Sequence, residues 1–389
     1  MRKFLVIVVL LPILIGLGWW YFHQRSLPNY GPSYREYAYV TNGKSNTVSV
    51  VDLTPRPIPS FTVIKSIAVG NNPTGIAANP KKPEIYVVNT SSNNVSVIDA
   101  ERNVLVATVG VHGTPYFIAV SQDGKRGYVA NSGSANLSVL DLDKRTVIAT
   151  LKVGASPEAV RVSDDGKTVL AANRGDGTVS IMDAEQLKVR STIQTCSQPS
   201  DIAIQRDSRK AFVACSASGQ VAALDLKNDR LLALLDVGKT PVHLTLKPDG
   251  GELIVTNFDS DNISIIETAT NEVGGSYLVG THPSRGVVTS DNSRLYVTNF
   301  GSNNVAVYDI DLGKVVSSFS VGSHPDAIAL SQSENYVLVL NSDSGDMAVL
   351  QRKTPTRKDP GEYSLLLMVQ VGLQPNNIVV KAFTDSRLQ

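Results

Sequence analysis

Cysteine, tryptophan and net charge are all scarce in this 389-residue chain: two Cys, two Trp, and 36 Lys+Arg against 35 Asp+Glu, a balance of +1. Two cysteines exclude a disulfide-framework fold and a four-thiolate zinc site, and leave room for one bridge. A balance of +1 lacks the basic field that nucleic-acid binding needs, so no nucleic-acid partner is expected. With 42% apolar and only 18% charged residues the chain is too hydrophobic to be disordered. Local chemical signatures are missing as well. There is no Gly-x-Ser-x-Gly, no His-Glu-x-x-His, no phosphate-cradling glycine loop and no Cys-x-x-Cys-His haem attachment. The motifs therefore give no catalytic residue, metal or cofactor, while a site assembled across distant segments stays open.

One long apolar run is present, at the start. Arg2 and Lys3 precede an uncharged stretch from Phe4 to Phe22, which as a helix would be about 28 Å long, close to the thickness of a hydrocarbon core. It ends in Trp19, Trp20, Tyr21 and Phe22 rather than in the small residues of a cleavage site. Residues 1–23 are therefore expected to form a signal-anchor transmembrane helix. The positive-inside rule then puts everything after His23 on the periplasmic or extracytoplasmic side of the inner membrane. Residues 24–35, with Pro28, Gly31 and Pro32, read as a linker.

Everything beyond is one unit written repeatedly. The segment ending in Asn42 recurs at Asn89, Asn131, Asn173, Cys215, Asn257, Asn299 and Asn341, at spacings of 47 and then 42 six times. A proline recurs at 73, 115, 157, 199, 241, 283, 325 and 375, at spacings of 42 six times and then 50. Each unit reads as four short strands separated by polar turns such as Asp123-Gly124, Asp165-Gly166 and Asp249-Gly250. Four antiparallel strands per repeat, with no helical periodicity, describe an all-β propeller blade. The array, residues 36–383, opens on a second strand and closes on a first strand, with a tail at 384–389. The C-terminal strand is thus expected to complete the N-terminal blade and give eight blades, with seven and a spare unit as the alternative.

The wording Tyr39-Val-Thr-Asn42, Asn46-Thr-Val-Ser-Val-Val-Asp52 and Ile67-Ala-Val-Gly70-Asn-Asn-Pro73 resembles the YVTN-repeat β-propeller family of exported and surface-layer proteins. That resemblance covers all but the anchor and linker. It implies that the first strand of each blade lines the channel and that the proline loops share one face, the top. Function does not follow from it, because function lives in sites grafted on a propeller.

The recurring Asn is read as structural, its amide bonding the backbone of the Gly-x-x-Pro loop. Only one unit loses it, at Cys215, and the same unit has Cys196 where six others have glycine. A Cys196–Cys215 disulfide in place of the hydrogen bond is inferred, against two buried free thiols as the alternative. A redox-active pair is not expected without Cys-x-x-Cys spacing. Arg161 is expected to reach into the channel towards Glu158.

Unusual side chains gather in three adjacent units: His243, Phe258, His282, Arg285, Phe300, His324 and Asp326. Imidazoles, a guanidinium and aromatic rings at the channel mouth suit an anionic or planar ligand or a partner's loop. Insertions at Thr54–Ser60 and Arg352–Pro360, the second strongly basic, lie together on the bottom face and suit anionic headgroups. The leading expectation is a membrane-anchored, non-enzymatic platform or accessory subunit of a cell-envelope assembly, with a protein partner there and a small-molecule ligand at the mouth. The alternative is a propeller enzyme or cofactor carrier, lactonase-like or an oxidoreductase subunit, working at that same mouth.

Overall fold

The computed structural model describes residues 30–56, 58–352 and 363–388. The proposed anchor, residues 4–22, and most of the basic insertion lie outside these. Among the described residues no helix is long and apolar enough to cross a membrane.

Residues 35–383 form one compact unit, built of eight four-stranded antiparallel sheets. We number the blades by their first strands, so that blade 1 opens at Pro73 and blade 8 at Pro375. Blade 6 is representative: Pro283–Val288, Arg294–Asn299, Asn304–Asp309 and Lys314–Ser320. Blade 8 joins Pro375–Thr384 to Tyr34–Asn42, Thr47–Asp52 and Val63–Ala68. The circular closure expected from the sequence is therefore formed, and the count is eight.

The core lies between blades rather than within them. Eight apolar clusters each unite two neighbours: Ile202, Val213 and Leu224 of blade 4 with Leu170, Val179 and Ile181 of blade 3, and so on round the ring. The last of them joins Leu338, Leu340 and Val349 of blade 7 to Ala38, Val40 and Val51 of blade 8. Period-2 alternation sends side chains to both faces of every blade, and each face needs a neighbour. First strands of adjacent blades pack on each other while the outermost strands barely meet, which places the first strands at the axis.

Two irregularities recur. In blades 1 to 7 the register slips between the proline and the residue two places on, so that the residue after the proline is left out of the ladder. This bulge, absent from the sequence reading, turns consecutive side chains towards the top of the channel. The residue before the proline has a left-handed backbone in all eight blades, with φ from 49° at Ser156 and His282 to 55° at Gln198 and Gln374.

The repeated Asn works differently from the expectation. In blades 1, 2, 3, 5 and 8 its Nδ2 donates to side chains five and seven residues on, as Asn89 does to Asn94 Oδ1 (2.7 Å) and Ser96 Oγ (2.9 Å), while Asn299 and Asn341, with alanine at the second of these positions, keep only the first. In blade 8 the serine passes the tie on, with Ser49 Oγ donating to the Val371 carbonyl of the loop at 2.9 Å. Among the described residues only Asn299 reaches the loop backbone itself, donating to the Val279 carbonyl at 3.1 Å, and in its blade the serine position is Ala306. The loop glycine belongs to the same corner by contact: a Cβ on Gly238 would fall 2.6 Å from Asn257 Cβ. Blade 4 replaces this contact with the Cys196–Cys215 disulfide, Cα–Cα 5.8 Å, as the repeat comparison inferred. Closing a loop of this size stabilises by roughly 2–4 kcal/mol in the chain-entropy account.

Gly238→Ala should cost about 1–3 kcal/mol by overpacking a side chain already fixed by two hydrogen bonds. Gly110→Ala, where a Cβ meets nothing within 4 Å, should cost under about 0.5 kcal/mol. Urea unfolding of the two variants checks this, and equal midpoints would remove the glycine from the corner.

Candidate functional site

In blades 1 to 7 the left-handed residue before the proline turns its carbonyl onto the amide 18 places later, as His282 O accepts from Phe300 N at 2.9 Å, and in blade 8 Gln374 O accepts from Gly43 N across the closure. That bond sets the two side chains of a blade beside each other at the top rim. Across blades 5, 6 and 7 the rim becomes a strip of stacked rings. Phe258 and His282 lie 4.6 Å apart and 8° from parallel. Phe300 and His324 lie 4.2 Å apart and 9° from parallel, and the two phenyl rings are 6.0 Å apart. All four are half-buried. His324 Nδ1 meets Asp343 Oδ2 at 2.6 Å, which leaves its Nε2 outside that bond.

The other three predicted residues lie in the channel wall, apart from the strip. His243 and Arg285 occupy the second position after the proline in blades 5 and 6, and Asp326 the bulged first position in blade 7. Asp201, in the same register position of blade 4, completes the group. One of its oxygens takes Arg161 Nη2 at 2.9 Å and the Ile202 amide at 2.9 Å, and the other takes the Leu244 amide at 3.1 Å. Burial alone would raise its pKa, but Arg161, the Leu244 amide and Arg285 together hold it below the usual carboxylate range. Arg161 therefore pairs with Asp201 and lies over the Phe117 ring at 4.6 Å. The expected partner, Glu158, is taken instead by Arg174 at 3.2 Å, which also bonds Gln198 Oε1 at 2.9 Å.

His243 is kept neutral. Burial, assisted by Arg285 and Arg161 against the opposing pull of Asp201, brings its pKa down to about 4. Nδ1 faces the Gly286 amide at 3.4 Å and the Thr245 hydroxyl at 3.2 Å, so the proton is assigned to Nε2. Nε2 lies 3.9 Å from Asp201 Oδ2, beyond hydrogen-bond distance. Burial likewise raises the Asp326 pKa, with Arg285 opposing.

A cavity of about 400 Å³ opens among these residues, walled by Tyr116, Phe117, Glu158, Arg161, Asp201 and Arg285 among others. Three guanidiniums (Arg161, Arg174, Arg285) face two carboxylates (Glu158, Asp201) across it. Arg161 and Arg174 are paired; Arg285 has neither a side-chain hydrogen bond nor an ion pair among the described residues. The sequence reading took Arg285 and His243 from a column in which Asp201 and Phe117 also stand, and it passed over those two. Tyr116 and Glu158 required the bulge. Among the described residues no three His, Cys, Asp or Glu groups cluster as a metal site.

Two families match parts of the chain: the cytochrome D1 heme domain over residues 82–199, and the seven-bladed β-propeller lactonase over residues 274–358. No curated protein matches the sequence. Among solved structures, a dihydro-heme d1 dehydrogenase, NirN, is 13% identical with a TM-score of 0.72, over 90% of this chain and 75% of that one. The Kuenenia stuttgartiensis hydrazine synthase is 21% identical with a TM-score of 0.61, over 72% and 95%. A functionally unknown protein from Desulfotomaculum acetoxidans is 18% identical with a TM-score of 0.59, over 76% and 98%. At such identities the likeness is one of fold, and the fold is a β-propeller; the YVTN repeat remains a resemblance.

Because His243 binds its proton near pH 6.5 when unfolded and only near 4 when folded, the unfolded chain takes up more protons between those values. Stability should therefore fall as pH drops through that window, by up to about 3 kcal/mol. Urea unfolding at stepped pH should show the slope, and His243→Gln should flatten it; a slope unchanged in that variant refutes the neutral assignment.

Proposed function

We propose that this propeller carries a planar, carboxylate-bearing cofactor of the tetrapyrrole class at the top mouth of its channel. The observation that carries the reading is the Arg285 guanidinium, which makes no side-chain hydrogen bond or ion pair among the described residues and lines a cavity with two further guanidiniums, on the same face as a strip of stacked aromatic rings. A guanidinium whose donors are not taken by a hydrogen-bonded carboxylate offers a bidentate, charge-assisted site for a ligand's carboxylate. The ring strip offers flat apolar contact for a macrocycle. Such a cofactor would supply redox or electron-storing chemistry; the chain would supply the seat, with Arg285 and the paired Arg174 and Arg161 facing the carboxylates.

The comparisons support this alternative better than the non-enzymatic platform, since the matched names include a heme domain and a dihydro-heme d1 dehydrogenase. The hydrolase reading expected an imidazole paired with Asp326 or Arg285 at the mouth. Instead His243 has Asp201 as its nearest carboxylate, His324 is bonded to Asp343, and Asp326 has no side-chain hydrogen bond among the described residues. In this reading residues 4–22 tether the carrier outside the cytoplasm, and the expected envelope partner delivers or receives the cofactor.

Purified full-length protein titrated with iron protoporphyrin IX should show saturable binding in its Soret band. Arg285→Leu should weaken that binding by about tenfold or more, as for loss of a charge-assisted hydrogen bond. The dimethyl ester should bind wild type and variant alike. No saturable binding of either porphyrin overturns the reading.

A further inference from the structure

The blade 4 disulfide sits in an asymmetric setting. Cys215 is fully buried, whereas Cys196 is half-buried and lines a second top-face cleft of about 790 Å³ with Glu158, Arg174, Asp176, Gln194 and Gln198. This cleft adjoins the mouth cavity and shares Glu158, Arg174 and Gln198 with it. One sulfur of the bond therefore belongs to a residue that an external molecule can reach, and the other to one that it cannot.

The same blade lacks what fixes this corner elsewhere. In the other seven blades the Asn amide bonds a third-strand side chain five residues on, and in six of them it lies against the loop glycine; here the third-strand positions are Gln220 and Ala222, and Gln220 is turned to Asp236 Oδ1 at 2.9 Å. Without the disulfide no side-chain tie joins Cys215 to the loop at Cys196. What remains is backbone bonding, Cys196 N to Gly177 O at 3.3 Å, Ala217 N to Ser197 O at 3.3 Å and Ser216 N to Gln198 O at 3.0 Å, with a hydroxyl at each end of the loop, Thr195 Oγ1 donating to Gly177 O at 3.0 Å and Ser216 Oγ to Gln198 O at 3.0 Å; none of these bonds engages either cysteine side chain. The loop ends at Gln198, whose amide oxygen holds Arg174 at the mouth.

We propose that Cys196–Cys215 is a reducible latch, opened by a dithiol reductant that enters the cleft and attacks Cys196, and that its opening loosens the loop of residues 195–198 beside the mouth. The attacking thiolate forms a mixed disulfide with Cys196 Sγ; the Cys196–Cys215 bond breaks, and its electron pair leaves on Cys215 as a thiolate that takes up a proton. The reductant's second thiolate then attacks its own sulfur in the mixed disulfide and releases Cys196. The dithiol is oxidised to a disulfide by two electrons and the protein's disulfide is reduced by two. This is a different use of the pair from the catalytic Cys-x-x-Cys chemistry that the spacing argues against. It does not depend on the nature of the cofactor.

The test uses the folded full-length chain. Dithiothreitol in native buffer, followed by iodoacetamide, should alkylate both cysteines while the far-ultraviolet circular dichroism is retained. Glutathione should give a trapped adduct on Cys196 alone. Amide exchange of residues 195–198 should quicken tenfold or more on reduction, while the equivalent loop of blade 5, residues 237–240, stays unchanged. The triple variant Cys196→Gly, Cys215→Asn, Ala222→Ser, which rebuilds the corner used elsewhere, should show slow exchange that dithiothreitol does not alter. A bond that yields only in denaturant, an adduct on Cys215, or exchange at 195–198 indifferent to reduction would each overturn the proposal.

Discussion

Everything in this propeller depends on burial between sheets that cannot be buried alone. A four-stranded blade exposes two apolar faces, and each fully buried Val, Leu or Ile contributes about 1.5–3 kcal/mol only if the next blade covers it. Every blade therefore needs two neighbours, and a linear array would leave two faces wet. The chain resolves this by splitting one blade between its ends: Leu338 and Val349 of blade 7 meet Ala38 and Val51 of blade 8, which in turn set Val48 and Val50 against Ile85 and Val87 of blade 1. Eight first strands then converge at the axis, and only there do side chains from many blades stand close enough to act together.

Most of this architecture was legible because it is written in spacings. The 42-residue period, the four-strand reading and the entry on a second strand suffice for eight blades and circular closure. The disulfide was legible for a related reason: Cys196 and Cys215 change together at two positions that otherwise hold Gly and Asn. Atomic detail was harder to read. The Asn was assigned to the loop backbone because the two share a face, yet its amide lies nearer to the side chains of the adjacent hairpin strand, and the loop is reached through Ser49 in blade 8 and directly by Asn299 in blade 6. A pattern fixes which residues meet at a corner; it does not fix which of several polar atoms is closest.

The site shows the same division. The rim residues Phe258, His282, Phe300 and His324 stand in columns one blade apart, and their stacking follows from that adjacency. The wall was only partly seen. A bulge after the proline of blades 1 to 7 brings Tyr116 and Glu158 towards the channel, and no residue type marks a bulge so widely repeated. Arg161 was aimed at Glu158, its near neighbour in sequence, but the closing of the ring offers it Asp201 from the next blade, already held by two backbone amides and so a better-defined counter-charge.

A strict repeat has a further consequence for where function can lie. Eight equivalent blades generate eight equivalent loops, and a symmetric ring of identical side chains cannot recognise an asymmetric ligand with one carboxylate edge and one flat face. Recognition has to come from departures, and here the departures are contiguous: blade 4 exchanges the Gly and Asn corner for a disulfide, blades 5 to 7 place rings on the rim, and blades 3, 4 and 6 put Arg161, Arg174, Asp201 and Arg285 in or beside the wall. Loss of the repeat's own lock in blade 4 falls next to the cavity whose charge is unbalanced. The propeller keeps its regular corners where only the core is at stake and alters them along one arc of the top face, which is the arc where a ligand edge, a ring face and a loop could be held at once.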